Sequence, residues 1–264
     1  MTGNGRPSSA AQRSTESSRR QQDGLVEDAD IGTSSEDYAR RFTGAVGRWF
    51  VETQTRITLS FLSALPVGAS VLDVGGGHAQ ITPPLLEAGY EVTVAGSDPS
   101  CSARLQPWIS SGRCKYDVAD LRSLHYPDRS FDAVVCLRLL PHSVDWRGLI
   151  AELCRVASRT VVIDYPSLRS ANIVASHFFP LKRGIELNTR RFMTFSPGQI
   201  QAAFAAQGFI VRAEQPQFLL PMVLHRLANH SLLSKAAERP GRWLGLTRRF
   251  GSPVIARADR RISG

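Results

Sequence analysis

No run in this chain approaches about 18 uninterrupted apolar residues, and its first residues lack the roughly 7–15-residue apolar core of a secretory signal. Neither a membrane span nor export is therefore expected, and the expected compartment is the cytoplasm. The four cysteines, Cys101, Cys114, Cys136 and Cys154, form no C-x-x-C pair and lie within apolar runs. That pattern reads as reduced core thiols rather than a disulfide frame or a zinc site, and no metal ligand is assigned. A P-loop is excluded because no Gly-Lys-Ser/Thr follows the glycine cluster. The dinucleotide pattern G-x-G-x-x-G fails at its third glycine, since Gly75 and Gly77 are followed by Gln80.

What is present suffices for one large domain with insertions: 264 residues, 42% of them hydrophobic. The formal net charge of +9 is mostly local. Residues 1–37 hold four arginines against seven acids, whereas residues 181–264 hold fourteen basic residues against four acids. A basic C-terminal third suits RNA, an anionic membrane, a phosphorylated substrate, or simply a solvated face.

Residues 1 to about 35 are rich in Ser, Arg, Gln and Gly and poor in large apolar side chains, so they read as a disordered tail. From Ser35 to Leu65 apolar residues recur at helical spacing, with Gly44 and Gly47 weakening the first half. Strand and helix patterns then alternate. Strands are predicted at 70–74, 91–95, 114–118, 131–137 and 160–164, with helices at 79–88, 101–110 and 145–157. A further helix (196–207) and strands at 208–213 and 253–256 follow, with helical cap insertions near 166–195 and 216–250. Such alternation implies a parallel sheet with helices on both faces, and ligands beyond the carboxyl ends of its strands.

The first loop favours a cationic ligand. Asp73 stands two residues before Gly75, where a carboxylate would repel phosphates and attract an ammonium. Val71-Leu-Asp-Val-Gly-Gly-Gly-His78 resembles motif I of class I S-adenosylmethionine-dependent methyltransferases, and the spacing that follows resembles their type 11 group. The resemblance covers residues 68–165 well and extends weakly to about 213. It implies an α/β fold, a Rossmann-like seven-stranded mostly parallel sheet with helical cap insertions, making residues 36–264 a methyltransferase domain. It also implies S-adenosyl-L-methionine as cofactor. Asp73, Gly75, Gly76 and Gly77 fall in the donor loop, and Ala79 stands where relatives have a third glycine. Asp120 and Leu121 match an adenine-binding acid and its ring-packing neighbour, with a turn aspartate as the alternative. Leu137 ends the fourth strand beside the donor. In relatives the second strand ends in an acid that holds the ribose; here Gly96 stands there, and Asp98 either reaches the ribose or caps the next helix.

For catalysis the resemblance points to His142 as a general base, with Arg138 near the acceptor and Asp164 and Tyr165 as further contacts; a packing role for His142 stays open. Phe178, Phe179, Phe192 and Phe195 supply an apolar cap, with His177 able to reach in, and Lys182, Arg183, Arg190 and Arg191 suit a carboxylate or phosphate. The expected acceptor is a small molecule or a lipid-linked or saccharide intermediate, methylated at oxygen. Nucleic acid is disfavoured and no obligate protein partner is expected. Residues 216–250 read either as a lid or as a peripheral membrane contact. The alternatives are an RNA methyltransferase and a non-catalytic interaction subunit.

Overall fold

A computed structural model describes residues 29–170, 192–228 and 230–261. His177, Phe178, Phe179, Lys182, Arg183, Arg190 and Arg191 lie outside the described residues. Among the described residues three helices come first: α1 (Ala29–Thr33), α2 (Glu36–Arg40) and α3 (Gly44–Leu62). Residues 29–33, read from composition as part of a disordered tail, form α1. Ala29 and Asp30 are buried because α1 packs onto the sheet instead of facing water.

The alternation continues as β1 (Ser70–Val74), α4 (Thr82–Glu87), β2 (Glu91–Gly96), α5 (Gln106–Ser110), β3 (Cys114–Val118), β4 (Phe131–Cys136), α6 (Trp146–Val156) and β5 (Ala157–Tyr165). It closes with α7 (Pro197–Ala206), β6 (Phe209–Phe218), α8 (Met222–Ala228), α9 (Ser231–Trp243), α10 (Leu246–Phe250) and β7 (Ser252–Arg260). The seven strands form one sheet in the order β3-β2-β1-β4-β5-β7-β6. Neighbours among β1 to β5 pair in parallel, whereas β7 runs antiparallel to β5 and β6. The order reverses at β1, which places the ligand crevice beyond the carboxyl ends of β1 and β4.

The helices expected at 79–88 and 101–110 are shorter. Short 3-10 turns at Gly76–His78 and Pro99–Leu105 precede α4 and α5, because Pro83 and Pro107 suit the first turn of a helix and not its interior. The last two strands are longer than expected, since β7 pairs on both sides. Val71, Leu72, Val134, Val135, Val161 and Val162 are fully buried between helix layers, as near-continuous apolar parallel strands require. α6 contributes Leu149, Ile150 and Leu153 to one face, and a Ser196–Gln199 capping box starts α7. Gly47 does not break α3: a side chain there would collide with the Phe42 backbone, so its smallness is what lets the entering chain cross the helix.

Candidate donor and acceptor cleft

Asp73 sits near the end of β1 and is 1% exposed, accepting a 2.7 Å hydrogen bond from Thr82 Oγ1. Burial pushes its carboxyl up to about 6, and the Thr82 bond opposes this only in part. Gly75 follows in the left-handed region (φ +73°), its amide donating to Ala95 O at 2.8 Å. A side chain at Gly76 would collide with the Asp73 carboxyl. Ala79, at the missing third glycine, also holds a left-handed backbone (φ +57°). The exchange is thus costlier than a neutral replacement, since a Cβ in that region adds about 1–2 kcal/mol.

A cavity of about 30 Å³ lies at this loop, lined by Asp73, Gly75, Gly76, Leu137 and Arg138 with Thr33, Gln54, His78, Gln80 and Ile81. Beneath it the Arg138 amide donates to Asp164 Oδ1 at 2.5 Å, and Gln54 Nε2 donates to Asp164 Oδ2 at 3.0 Å. The Arg138 guanidinium donates to Gln54 Oε1 and stacks 4.1 Å from the Phe42 ring centroid. Arg138 itself has φ +64°, a conformation that its neighbours over-determine. Burial raises the Asp164 carboxyl, while the Arg138 and Gln54 bonds act against it.

Sequence reasoning missed three contributors. His78 packs edge-on against Tyr38 and Phe42, with ring centroids 5.4 and 5.6 Å away. Burial, then the Arg138 charge, lowers it to about 3, so its ring is neutral. Gln54 joins Arg138 to Asp164 across the long α3 helix. The third is Asp30: 0% exposed, it accepts from the Ser97 amide at 2.7 Å and from Ser97 Oγ at 2.5 Å. No local motif marks Asp30, which meets Ser97 only through the fold.

Other predicted residues lie outside the cavity. Gly96 ends β2 under Tyr116, whose hydroxyl donates to Asp98 O at 2.6 Å; a side chain at Gly96 would strike that hydroxyl. Asp98 caps the following turn, accepting from the Ser100 amide at 2.8 Å. Asp120 accepts from the Arg122 amide at 3.0 Å, the turn geometry of a short acid, and Leu121 is fully buried. His142 ends a 3-10 turn after β4, its ring 5.6 Å from that of Phe192. Tyr165 donates to Glu214 at 2.7 Å, away from the cleft.

Residues 72–162 match the family model of the methyltransferase domain. That match spans about a third of the chain. The chain is 32% identical over 103 residues to a demethylmenaquinone methyltransferase of Deinococcus radiodurans, covering 36% of this chain and 43% of the relative. It is 29% identical over 123 residues to a ubiquinone biosynthesis O-methyltransferase of Xanthomonas axonopodis pv. citri, covering 42% and 52%. The match thus spans about half the length of these curated relatives. Among solved structures, magnesium protoporphyrin IX methyltransferase from Synechocystis PCC 6803 with bound SAH superposes at a TM-score of 0.60 and 17% identity, covering 88% of this chain and 98% of that one. The [4+2]-cyclase SpnF superposes at 0.55 and 19% identity, covering 79% and 81%. These likenesses show the fold of the methyltransferase domain; the cyclase shares it.

Proposed function

We propose that the chain is an S-adenosyl-L-methionine-dependent methyltransferase of the cytoplasm, acting at oxygen on a small-molecule or lipid- or saccharide-linked acceptor. One observation carries the reading: a buried carboxylate, Asp73, directly below a left-handed glycine loop at the carboxyl end of the central strand. Such a group suits an ammonium and repels phosphate. The names of the quinone-pathway relatives support the acceptor class.

Asp73 and the loop of Gly75, Gly76 and Gly77 fit the amino-acid end of the donor. The adenosine end fits less simply. Leu121 offers an apolar wall and Asp120 an acceptor, but Ala29 packs in the same core cluster as Ala95, Ala119 and Leu121, and Asp30 holds Ser97. When bound, the donor supplies an activated methyl group; the protein's part is to align the acceptor and keep water out. Arg138 and Asp164 act as positioning residues here, since each is committed to the other and to Gln54. His142, at the mouth of the turn after Arg138, serves as the acceptor's proton acceptor. A non-catalytic module is the second reading, favoured by the filled adenosine end.

Thermal unfolding with S-adenosylhomocysteine, S-adenosylmethionine and NAD decides between them. A sulfur ligand at about 100 times its Kd should add about 2.7 kcal/mol and raise Tm by a few degrees, with NAD inert. No response to either sulfur ligand would sink the methyltransferase reading.

A further inference from the structure

Helix α9 is inside out. Its buried residues are Ser234, Glu238 and Gly241, which share one face at i, i+4 and i+7. Leu232, at 68% exposure, and Trp243, at 86%, stand on the opposite face with Ala236 between them, and Leu233 flanks them. Lys235, Arg239 and Arg242 lie along one margin of that apolar stripe. The orientation is fixed from below: Glu238 accepts from the Leu219 and Leu220 amides at 2.9 Å and bonds His225 at 3.0 Å. Leu227 on α8 and Leu244 after α9 extend the exposed apolar area.

A packed lid would turn its leucines inward and its glutamate outward; this helix does the reverse. Exposed Leu and Trp beside a basic margin is the pattern of a helix lying in a membrane interface. Charge selects the occupant. Between Leu219 and Gly251 the single acid is Glu238, which is buried, whereas Arg226, Lys235, Arg239, Arg242, Arg248 and Arg249 are basic. Two copies meeting through this face would bring like-charged margins together. We propose that α9, with α8 and α10 beside it, docks on an anionic lipid bilayer. The surface adjoins the cleft, because Arg226 of α8 lies 5.9 Å from the Phe42 ring centroid.

Co-sedimentation of the full chain with phosphatidylcholine vesicles, with and without phosphatidylglycerol, tests this. Binding is expected to the anionic vesicles and to weaken as salt is raised. Leu232→Ser with Trp243→Ser should weaken it about tenfold or more, since two anchors no longer bury apolar surface. Arg239→Gln with Arg242→Gln should weaken it by a smaller factor and flatten the salt dependence. Thermal unfolding checks that the variants fold. Equal sedimentation with and without anionic lipid, or none at all, overturns the proposal; so does self-association that Leu232→Ser with Trp243→Ser abolishes while vesicles go unbound.

A second observation stands independently. Residues 29–34 line the donor loop closely: the Asp30 carboxylate occupies the Ser97 amide, and side chains added at Gly75 or Gly77 would meet Asp30 Cβ at 3.5 Å or run into Ser34 Oγ. The cavity at the glycine loop is about 30 Å³, against the several hundred that a ligand of nucleotide size occupies. We infer that this segment sits in the donor's place as an internal competitor and withdraws when the donor enters. The inference rests on the methyltransferase reading. Removing the competitor should relieve a penalty on donor affinity. Calorimetric titration with S-adenosylhomocysteine should therefore show Asp30→Ala binding about fivefold tighter or more, and Ser97→Ala shifting the same way. Equal or weaker binding by folded variants overturns the inference and leaves the methyltransferase reading intact; no binding by the parent or either variant overturns both.

Discussion

Asp73→Asn is expected to unfold at a higher temperature than the parent at pH 7.5 while binding S-adenosylhomocysteine about tenfold more weakly or worse. The carboxyl is buried, and burial raises it from 3.8 to about 6. Between those values the native state holds a proton that the unfolded chain releases, so native stability falls as pH rises through this window and the full cost applies above about pH 6. That cost is about 3 kcal/mol at most. Asparagine keeps the shape and can still accept from Thr82 Oγ1, but it carries no charge to desolvate. On the proposed donor role of Asp73, the same neutrality removes the partner of the donor's ammonium. Urea midpoints across pH 4 to 8 check the first half: the parent should lose stability through the window and the variant should stay flat by comparison. A variant less stable than the parent at pH 7.5 would show that the ionised carboxylate is better solvated than its burial indicates.

Glu238→Ala should lower stability by about 3–5 kcal/mol, the range for removing one partner of a buried charged network. Two backbone amides and the His225 ring lose their acceptor inside a cluster with Trp49, Phe50 and Phe218. Burial works to raise the Glu238 carboxyl, but the bonds from His225, Leu219 and Leu220 outweigh it and hold the group below its ordinary 4.5. The stability it contributes is accordingly present above about pH 4.5 and lost as pH falls through the lower native value. Glu238→Gln should retain part of the hydrogen bonding and cost less, with a flatter acid limb. Chemical denaturation of the three proteins at pH 3.5 to 7 measures both effects. A loss under about 1 kcal/mol for Glu238→Ala would mean that water replaces the carboxylate and that α9 is not held from below.

Sequence spacing was a good guide wherever the structure is local. The apolar runs ending at Val74, Ala95 and Val118 alternate with helical patterns, and a parallel sheet follows because a short crossover helix packs back on the sheet. Asp73 and the glycines were readable for the same reason: a strand, a tight turn and a carboxylate two residues earlier are one continuous stretch of chain. Asp98 offered two roles at equal plausibility. The Ser100 amide lies within its reach at 2.8 Å, and the cap is what forms.

Tertiary structure alone decided the rest. Asp30 belongs to a stretch whose composition reads as disorder, yet it is buried on Ser97, 67 residues away. Gln54 reaches Asp164 across 110 residues. Gly96, which looks like a lost ribose acid, is a glycine because Tyr116 covers it. The orientation of α9 is the clearest case. Its stretch reads either as a lid or as a peripheral membrane contact, but the amides after β6 and the His225 ring need an acceptor, and Glu238 supplies it by turning Leu232 and Trp243 outward. Sequence by itself determined the elements and the glycine loop after the first strand, where neighbours in the chain are neighbours in space; only the folded chain decided which distant polar groups had to be satisfied, and burying an unsatisfied one costs more than exposing a leucine.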